Sequence, residues 1–195
     1  VVAVVDGAGR LRAGGDGHIG FNIRGSDVQY TPLPLSYALV PAEGKPTLFI
    51  APAKVPEAVK QTLEKVAALA SPRQLEAALR KAAKGNRIRL DTASAGMRLK
   101  LWIEDSGGIA DVGTDPIALM KAAKNAAEQQ GARAAHIRYG AAMVRFLHWF
   151  DEHAPKGRLT EIDAVAALET FRREAGIKNL SFPTISGANA NAALP

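Results

Sequence analysis

The chain has 195 residues, of which 47% are hydrophobic and 23% charged, so it can bury a core, and a soluble globular protein is expected. It has no cysteine, which excludes disulfides, zinc–thiolate sites and a thiol nucleophile. No apolar run approaches the roughly 20 residues that span a bilayer, and the VVAVV start lacks the basic flank of a signal peptide. We therefore expect a cytoplasmic protein without membrane segments.

The net charge of +6 is concentrated in one segment. Residues 54–100 carry eleven basic side chains against four acidic ones. A nucleic-acid-binding surface would use such an excess to neutralise phosphates, but aromatic residues that stack on bases are nearly missing from this segment. We favour solvated helical faces, and we keep a nucleic-acid binder as an alternative that predicts weaker binding when Arg80, Lys81 and Lys84 are neutralised.

The first twenty residues contain a short β-branched run and a glycine motif. Val1–Val5 is typical of a strand. Gly15–Gly20 matches the G-x-G-x-x-G pattern of dinucleotide-binding proteins, but it does not follow a strand directly and it precedes glycine and prolines instead of a helix. We interpret the glycine-rich segment 6–20 as a flexible turn without a cofactor.

Strands and helices then alternate, which indicates an α/β layer structure over residues 1–114. The predicted elements are a hairpin of Leu35–Val40 and Thr47–Ile50, helices Pro56–Leu69 and Pro72–Lys84 (the second capped by Ser71), a strand Arg87–Asp91, a helix Ala95–Asp105 and a strand Ile109–Val112.

Ser106 lies in an Asp-Ser-Gly-Gly sequence similar to the segment around the nucleophile of trypsin-like proteases. Those enzymes are all-β and need a histidine base, whereas the only upstream histidine here is His18, in a predicted loop. We predict that Gly107 ends a helix and that Ser106 is not catalytic.

Residues 115–149 predict a long helix that opens with Asp115-Pro116. Its expected buried stripe is Met143, Phe146, Leu147 and Phe150, with Arg138 and Arg145 on a solvated side. A turn through Gly157, a helix capped by Thr160 with Asp163 and ended by Gly176, an extended segment 180–185 and a flexible segment 186–195 are predicted to follow.

The possible metal ligands cluster near the end of the long helix, at His148, Asp151, Glu152 and His153. Two histidines five residues apart lie about 140° apart around a helix, so they cannot face one ion. We interpret these side chains, and His136, as surface or packed groups, and we predict no metal site and no catalytic residue in this chain.

Three blocks together resemble one family. They are Phe21-Asn22-Ile23-Arg24-Gly25-Ser26-Asp27; Asp115-Pro116 with Lys124-Asn125, Glu128, Arg133, His136 and Phe146; and Leu159-Thr160-Glu161-Ile162-Asp163 followed by Ser181-Phe182-Pro183-Thr184-Ile185-Ser186-Gly187-Ala188. The chain is similar over roughly residues 21–195 to aminopeptidase P, a creatinase-like metallopeptidase family with a "pita-bread" catalytic fold.

The resemblance implies a creatinase-type middle α/β domain at 1–114 and, at 115–195, the first helices of an α+β pita-bread peptidase domain. It implies a parent enzyme that removes an N-terminal residue preceding proline, acts on peptides with proline second, forms a homodimer and uses two divalent ions, commonly manganese. The metal ligands are expected downstream of Pro195, so the chain alone is expected to be inactive and metal-free. Phe182, Ser186 and Asn191 are implied in the vicinity of the substrate pocket.

One further alternative is a non-catalytic interaction module. In that case the long helix is a dimerisation or docking surface, and Met143 and Phe146 are expected to be exposed.

Overall fold

The computed structural model describes residues 21, 23–31, 33–91, 93–115, 117 and 122–193. The predicted strand Val1–Val5 and the glycine motif Gly15–Gly20 therefore lie outside the described residues. The chain divides after Ala123 into two compact units. Strands and helices alternate in the first unit, whereas the described elements of the second are helical.

The first unit begins with the predicted hairpin. Strand β1 (Tyr37–Leu39) pairs antiparallel with β2 (Thr47–Phe49), with Tyr37 opposite Phe49. Its further elements are α1 (Glu57–Val66), β3 (Ala68–Ala70), α2 (Leu75–Ala83), β4 (Arg87–Leu90), α3 (Met97–Glu104) and β5 (Ile109–Val112).

The predicted helix Pro56–Leu69 is wrong at its C-terminal end. Helix α1 stops at Val66, and Ala67 is extended, with φ −144° and ψ 152°. Ala68–Ala70 forms β3, which pairs parallel with β2 and places Leu69 beside Leu48. Alanine and leucine favour helices, but here the hydrogen bonds and side-chain packing of the sheet outweigh that preference.

The two faces of β2 bury different cores. Successive strand residues point to opposite faces, so Leu48 and Phe49 face different layers. Leu48 packs in a cluster with Ile50, Leu63 of α1 and Ala67. Phe49 belongs to a second cluster with residues of α2, β4 and α3, namely Leu75, Leu79, Ala83, Ile88, Leu90, Leu99 and Ile103. The helices therefore cover both faces of the sheet, as the predicted α/β layer structure requires.

The predicted helices and strands after Ser71 are confirmed within a few residues at their ends. Strands β4 and β5 pair in parallel with Leu90 opposite Val112. Ser71 caps the turn that leads into α2, together with Gln74 in a reciprocal capping box. Gly107, with φ +77°, ends α3, and the Ser106 hydroxyl donates to the Trp102 carbonyl oxygen at 2.7 Å.

The second unit holds two long helices, α4 (Ala126–His153) and α5 (Glu161–Glu174). The prediction of one continuous helix from Asp115 is wrong, because residues 123–125 are not helical and α4 begins only after Asn125. The Asn125 side chain accepts a hydrogen bond from the Glu128 amide, and the Glu128 carboxylate accepts one from the Asn125 amide. This capping box satisfies amides that a helix start leaves unpaired.

The predicted buried stripe of the long helix is also wrong. Met143, Leu147 and Phe150 are exposed, and Phe146 is half-buried. Apart from Ala134, the buried or half-buried residues of α4 repeat at spacings of three and four, as expected for the side that packs on α5; they are Ala135, Tyr139, Ala142, Phe146, Trp149 and His153.

Arg145 is exposed, as predicted, but it also contacts α5. It makes an ion pair with Glu174 of α5 at 2.5 Å, and its guanidinium lies 4.7 Å from the centre of the Phe171 ring. A guanidinium over an aromatic face is attracted by the electron-rich ring. Helices α4 and α5 are therefore held together by both apolar and charged contacts.

The turns around α5 are confirmed. Gly157 and Gly176 have φ +68° and +77°, conformations that glycine adopts without strain. Thr160 caps α5 in a capping box with Asp163. None of the helices in the described part of the chain is long and apolar enough to span a membrane.

Candidate functional site

A cavity of about 190 Å³ lies in the second unit, between α4, α5 and the segment that follows α5. Tyr139 of α4 and Leu168 and Arg172 of α5 form one side. The other side is formed by Leu180, Ser181, Phe182, Thr184 and Ile185. It combines an apolar lining with a guanidinium, a phenol and hydroxyl groups, and it is smaller than the roughly 300 Å³ of ordinary small-ligand pockets.

Hydrogen bonds from both helices hold the segment that follows α5. Arg172 Nη1 donates to Thr184 Oγ1 at 2.9 Å, and the Arg172 guanidinium also lies 5.8 Å from the centre of the Tyr139 ring. The Tyr139 hydroxyl donates to the carbonyl oxygen of Asn179 at 3.2 Å. The wall of the cavity formed by residues 180–185 is thus attached to both helices.

The segment 186–195 was predicted to be flexible, and its described part, up to residue 193, is a folded turn. Asn189–Ala193 forms a short 3-10 helix, and Asn189 adopts φ +52°. The amide of Asn191 donates to the Ala188 carbonyl oxygen at 3.0 Å. A Cβ on Gly187 would lie 3.2 Å from the Asn191 carbonyl oxygen, so the backbone curls closely over this glycine.

The Glu161 carboxylate binds this turn to the start of α5. Its Oε1 accepts from the Ala188 amide at 2.6 Å, and both of its oxygens accept from Asn191 Nδ2 at 3.1 Å. Hydrogen bonds to a charged acceptor are stronger than those between neutral groups.

The three residues implied near the substrate pocket occupy different positions. Phe182 is 61% exposed and lines the cavity. Ser186 is exposed, and Asn191 is bound to Glu161. The described residues therefore do not place these three side chains in one pocket, and their role near substrate stays a prediction. The sequence analysis did not identify Glu161, Arg172 and Thr184. Their side chains make the hydrogen bonds that hold the segment containing these residues.

The possible metal ligands on α4 do not form a site. His148 is exposed, and its Nε2 lies 3.7 Å from Oε1 of Glu152, one helical turn away. The His153 ring stacks on Trp149 with 4.8 Å between ring centres, and its Nδ1 lies 2.7 Å from the Trp149 carbonyl oxygen. The part of the chain that the structure describes has no group of three or more His, Cys, Asp or Glu side chains able to hold a metal ion.

The Phe21–Asp27 block of the first unit borders a second cavity, of about 170 Å³. Asp27 pairs with Lys54 and accepts from the Leu35 amide at 2.6 Å. The hydrogen bond from Lys54, with that from Leu35, holds the pKa of the Asp27 carboxyl below its usual value. A Cβ on Gly25 would lie 2.7 Å from the Pro34 nitrogen, so this block needs glycine where it passes Pro34.

The fold and the sequence together define the class of this protein. Residues 20–128 match the family of creatinase/prolidase N-terminal domains. The chain belongs to this family, and the predicted creatinase-like fold is confirmed.

The curated relatives narrow the class further. The chain is 36% identical over 179 residues to Xaa-Pro aminopeptidase 1 of Dictyostelium discoideum, covering 89% of this chain and 28% of that protein. It is 35% identical over 181 residues to the protein named probable Xaa-Pro aminopeptidase P in Laccaria bicolor, covering 89% of this chain and 27% of the relative. The chain thus spans less than a third of the length of these relatives.

A solved structure agrees with the sequence matches. The X-prolyl aminopeptidase of Caenorhabditis elegans, described as a cytosolic enzyme with a di-nuclear active site, matches with a TM-score of 0.67 and 27% identity. The match covers 78% of this chain and 26% of that protein.

The cap of α5 generates a pH prediction. The Thr160 hydroxyl and amide both donate to Asp163, at 2.7 and 2.9 Å, and hold the pKa of that carboxyl below its usual value. A depressed pKa stabilises the fold above the unfolded-state pKa, and this stabilisation is lost as the pH falls through the folded-state pKa. We expect Asp163→Asn to lower the thermal midpoint at pH 6, and the difference from wild type to shrink toward pH 2, as measured by circular dichroism.

Asp151→Asn on α4 is the matched control, because the described residues give Asp151 no hydrogen-bond or ion-pair partner. A difference between wild type and Asp163→Asn that stays constant from pH 6 to pH 2 would contradict the assigned role of the carboxylate.

Proposed function

We infer that the protein to which this chain belongs is an aminopeptidase of the Xaa-Pro type, which hydrolyses the bond between an N-terminal residue and a following proline. The observation that carries this proposal is the match to Xaa-Pro aminopeptidases over 89% of the chain, at 34 to 36% identity in the first relatives. The structural match to an X-prolyl aminopeptidase supports it independently.

The proposed domain organisation follows the predicted boundaries. Residues 1–114 form a creatinase-type middle domain, and residues 115–195 begin a peptidase domain with the pita-bread fold. The α/β packing on both sides of β2 and the helical character of residues 126–174 support this division. Phe182, Ser186 and Asn191 lie in the vicinity of the substrate in this proposal.

The described residues do not fit a dinuclear metal centre, since they contain no cluster of three ligands. In our proposal the enzyme uses two metal ions, manganese, and residues other than those described would hold them. This chain contributes structure around the site, and by itself it is inactive.

We also propose that the protein is cytoplasmic and homodimeric. The C. elegans neighbour is described as cytosolic. A second apolar stripe on α4, on the side opposite the buried residues, supports self-association; it consists of Ile137, Val144 and Leu147, all exposed. Light scattering of the purified chain is expected to give twice the mass of one chain, and a monomer at micromolar concentration would contradict dimerisation through this stripe.

A nucleic-acid-binding function receives less support. Many basic side chains of residues 54–100 already pair with carboxylates, which reduces the charge available to phosphates. These are Lys54, Lys60, Arg80, Arg87, Arg89 and Lys100. The interaction-module alternative is supported only in part, because Met143 is exposed whereas Phe146 is half-buried beside Trp149.

An assay tests the proposed activity directly. The whole protein, supplied with manganese, is expected to release the first residue of a peptide with proline second, and to leave unchanged the same peptide with alanine second. The 195-residue chain alone is expected to release nothing, because its described residues hold no metal. Equal cleavage of both peptides would refute the Xaa-Pro assignment, and cleavage by the chain alone would refute its inactivity.

A further inference from the structure

Among the described polar contacts, Glu161 of α5 is the residue that binds the turn 187–192 to the rest of the second unit. Arg172 holds Thr184, upstream of the turn, and Glu161 holds Ala188 and Asn191 within it. Thr184 itself also donates to Glu169 at 3.5 Å. The turn itself is therefore held by α5, whereas the segment before it is held by Tyr139 of α4 as well as by Arg172 of α5.

The two anchors lie on the same face of α5. Glu161 and Arg172 are eleven residues apart, which is three helical turns and about 20°, and about 16 Å along the axis. The five residues from Thr184 to Ala188 connect these two anchors. Ser186 therefore lies between a residue held by Arg172 and a residue held by Glu161.

The hydrogen-bond donors of the turn share one acceptor, the Glu161 carboxylate of α5. The carboxylate is half-buried and accepts three hydrogen bonds, one from a backbone amide and two from the Asn191 side chain. The same turn carries Asn189 in the left-handed conformation, in which asparagine is enriched among non-glycine residues. Removal of the carboxylate leaves these donors without a partner in the second unit.

We propose that Glu161 is a positioning residue of the aminopeptidase: its carboxylate fixes the turn 187–192 and thereby the placement of Ser186 and Asn191 toward the substrate. This inference rests on the proposed function. Glu161 does not touch substrate in this account, and it acts through the Ala188 amide and the Asn191 side chain.

Glu161→Gln is the informative substitution. It keeps the length of the side chain but offers one acceptor oxygen in place of two, and its amide nitrogen would face the donor nitrogen of Asn191. Glu161→Asp keeps the charge and shortens the reach. Glu174→Gln makes the same chemical change on the same helix, where the carboxylate pairs with Arg145 and has no contact with the turn.

Two readouts separate positioning from stability. The first readout is the kcat/KM of the whole enzyme for a peptide that has proline second. It is expected to fall at least tenfold for Glu161→Gln and by less for Glu161→Asp, mostly because KM rises. The thermal midpoints of both variants are expected to stay close to that of wild type. Glu174→Gln is expected to stay within twofold of wild type. In the 195-residue chain, Glu161→Gln is expected to lose hydrogen-exchange protection at the Ala188 amide while the amides in the middle of α5 keep theirs.

Each result decides the question. A wild-type enzyme with no activity on this peptide refutes the proposed function, and the positioning role with it. An active wild type with kcat/KM for Glu161→Gln within twofold of it refutes the positioning role alone. If Glu161→Gln does not fold, Glu161→Asp decides: a reduced kcat/KM at an unchanged thermal midpoint supports positioning, and a wild-type value overturns it.

Discussion

The burial of β2 on both faces is the constraint on which the first unit depends. Leu48 and Phe49 are neighbours in the chain, yet they belong to two different hydrophobic clusters. A strand with two buried faces requires helices on both sides, which α1 supplies for Leu48, and α2 and α3 for Phe49. The same requirement explains β3, since Leu69 and Ala70 continue the two faces in register with Leu48 and Phe49.

The second unit obeys a different constraint, because α4 has apolar side chains on two sides. One stripe packs on α5, while the other, which includes Val144 and Leu147, is exposed. An exposed apolar stripe opposite a buried one is typical of a surface that contacts another chain or domain. The contact between α4 and α5 fixes the position of α5, and Arg172 and Glu161 of α5 hold the segment that follows. The position of the candidate site therefore depends on this helix pair.

Much of this architecture could be predicted from local signals. Ser71 and Thr160 precede helices at the positions where a side-chain cap is needed, and Gly107 and Gly176 follow helices where a left-handed residue is needed. The short hairpin and β5 follow from β-branched runs bounded by turn residues. Three blocks of residues in the sequence predicted the family, and the match of residues 20–128 confirms it.

Other features depend on contacts that a local pattern does not encode. The segment containing Ala68 has a helix-favouring composition and becomes a strand only because β2 lies beside it. Two candidate stripes on α4 are both apolar, so periodicity alone cannot choose the one that meets α5. The bond between Glu161 and Asn191 joins polar residues 30 positions apart and leaves no periodic signal. Asn125 with Glu128 was a readable capping signal that the Asp-Pro at residue 115 obscured.

We propose that this chain provides the framework and a substrate-side turn of an aminopeptidase whose metal ions are bound by other parts of the protein. Isothermal titration calorimetry of the purified 195-residue chain with manganese is the decisive measurement. No saturable binding is expected at micromolar metal. Two saturable sites per chain would contradict it and would place the metal centre within these residues.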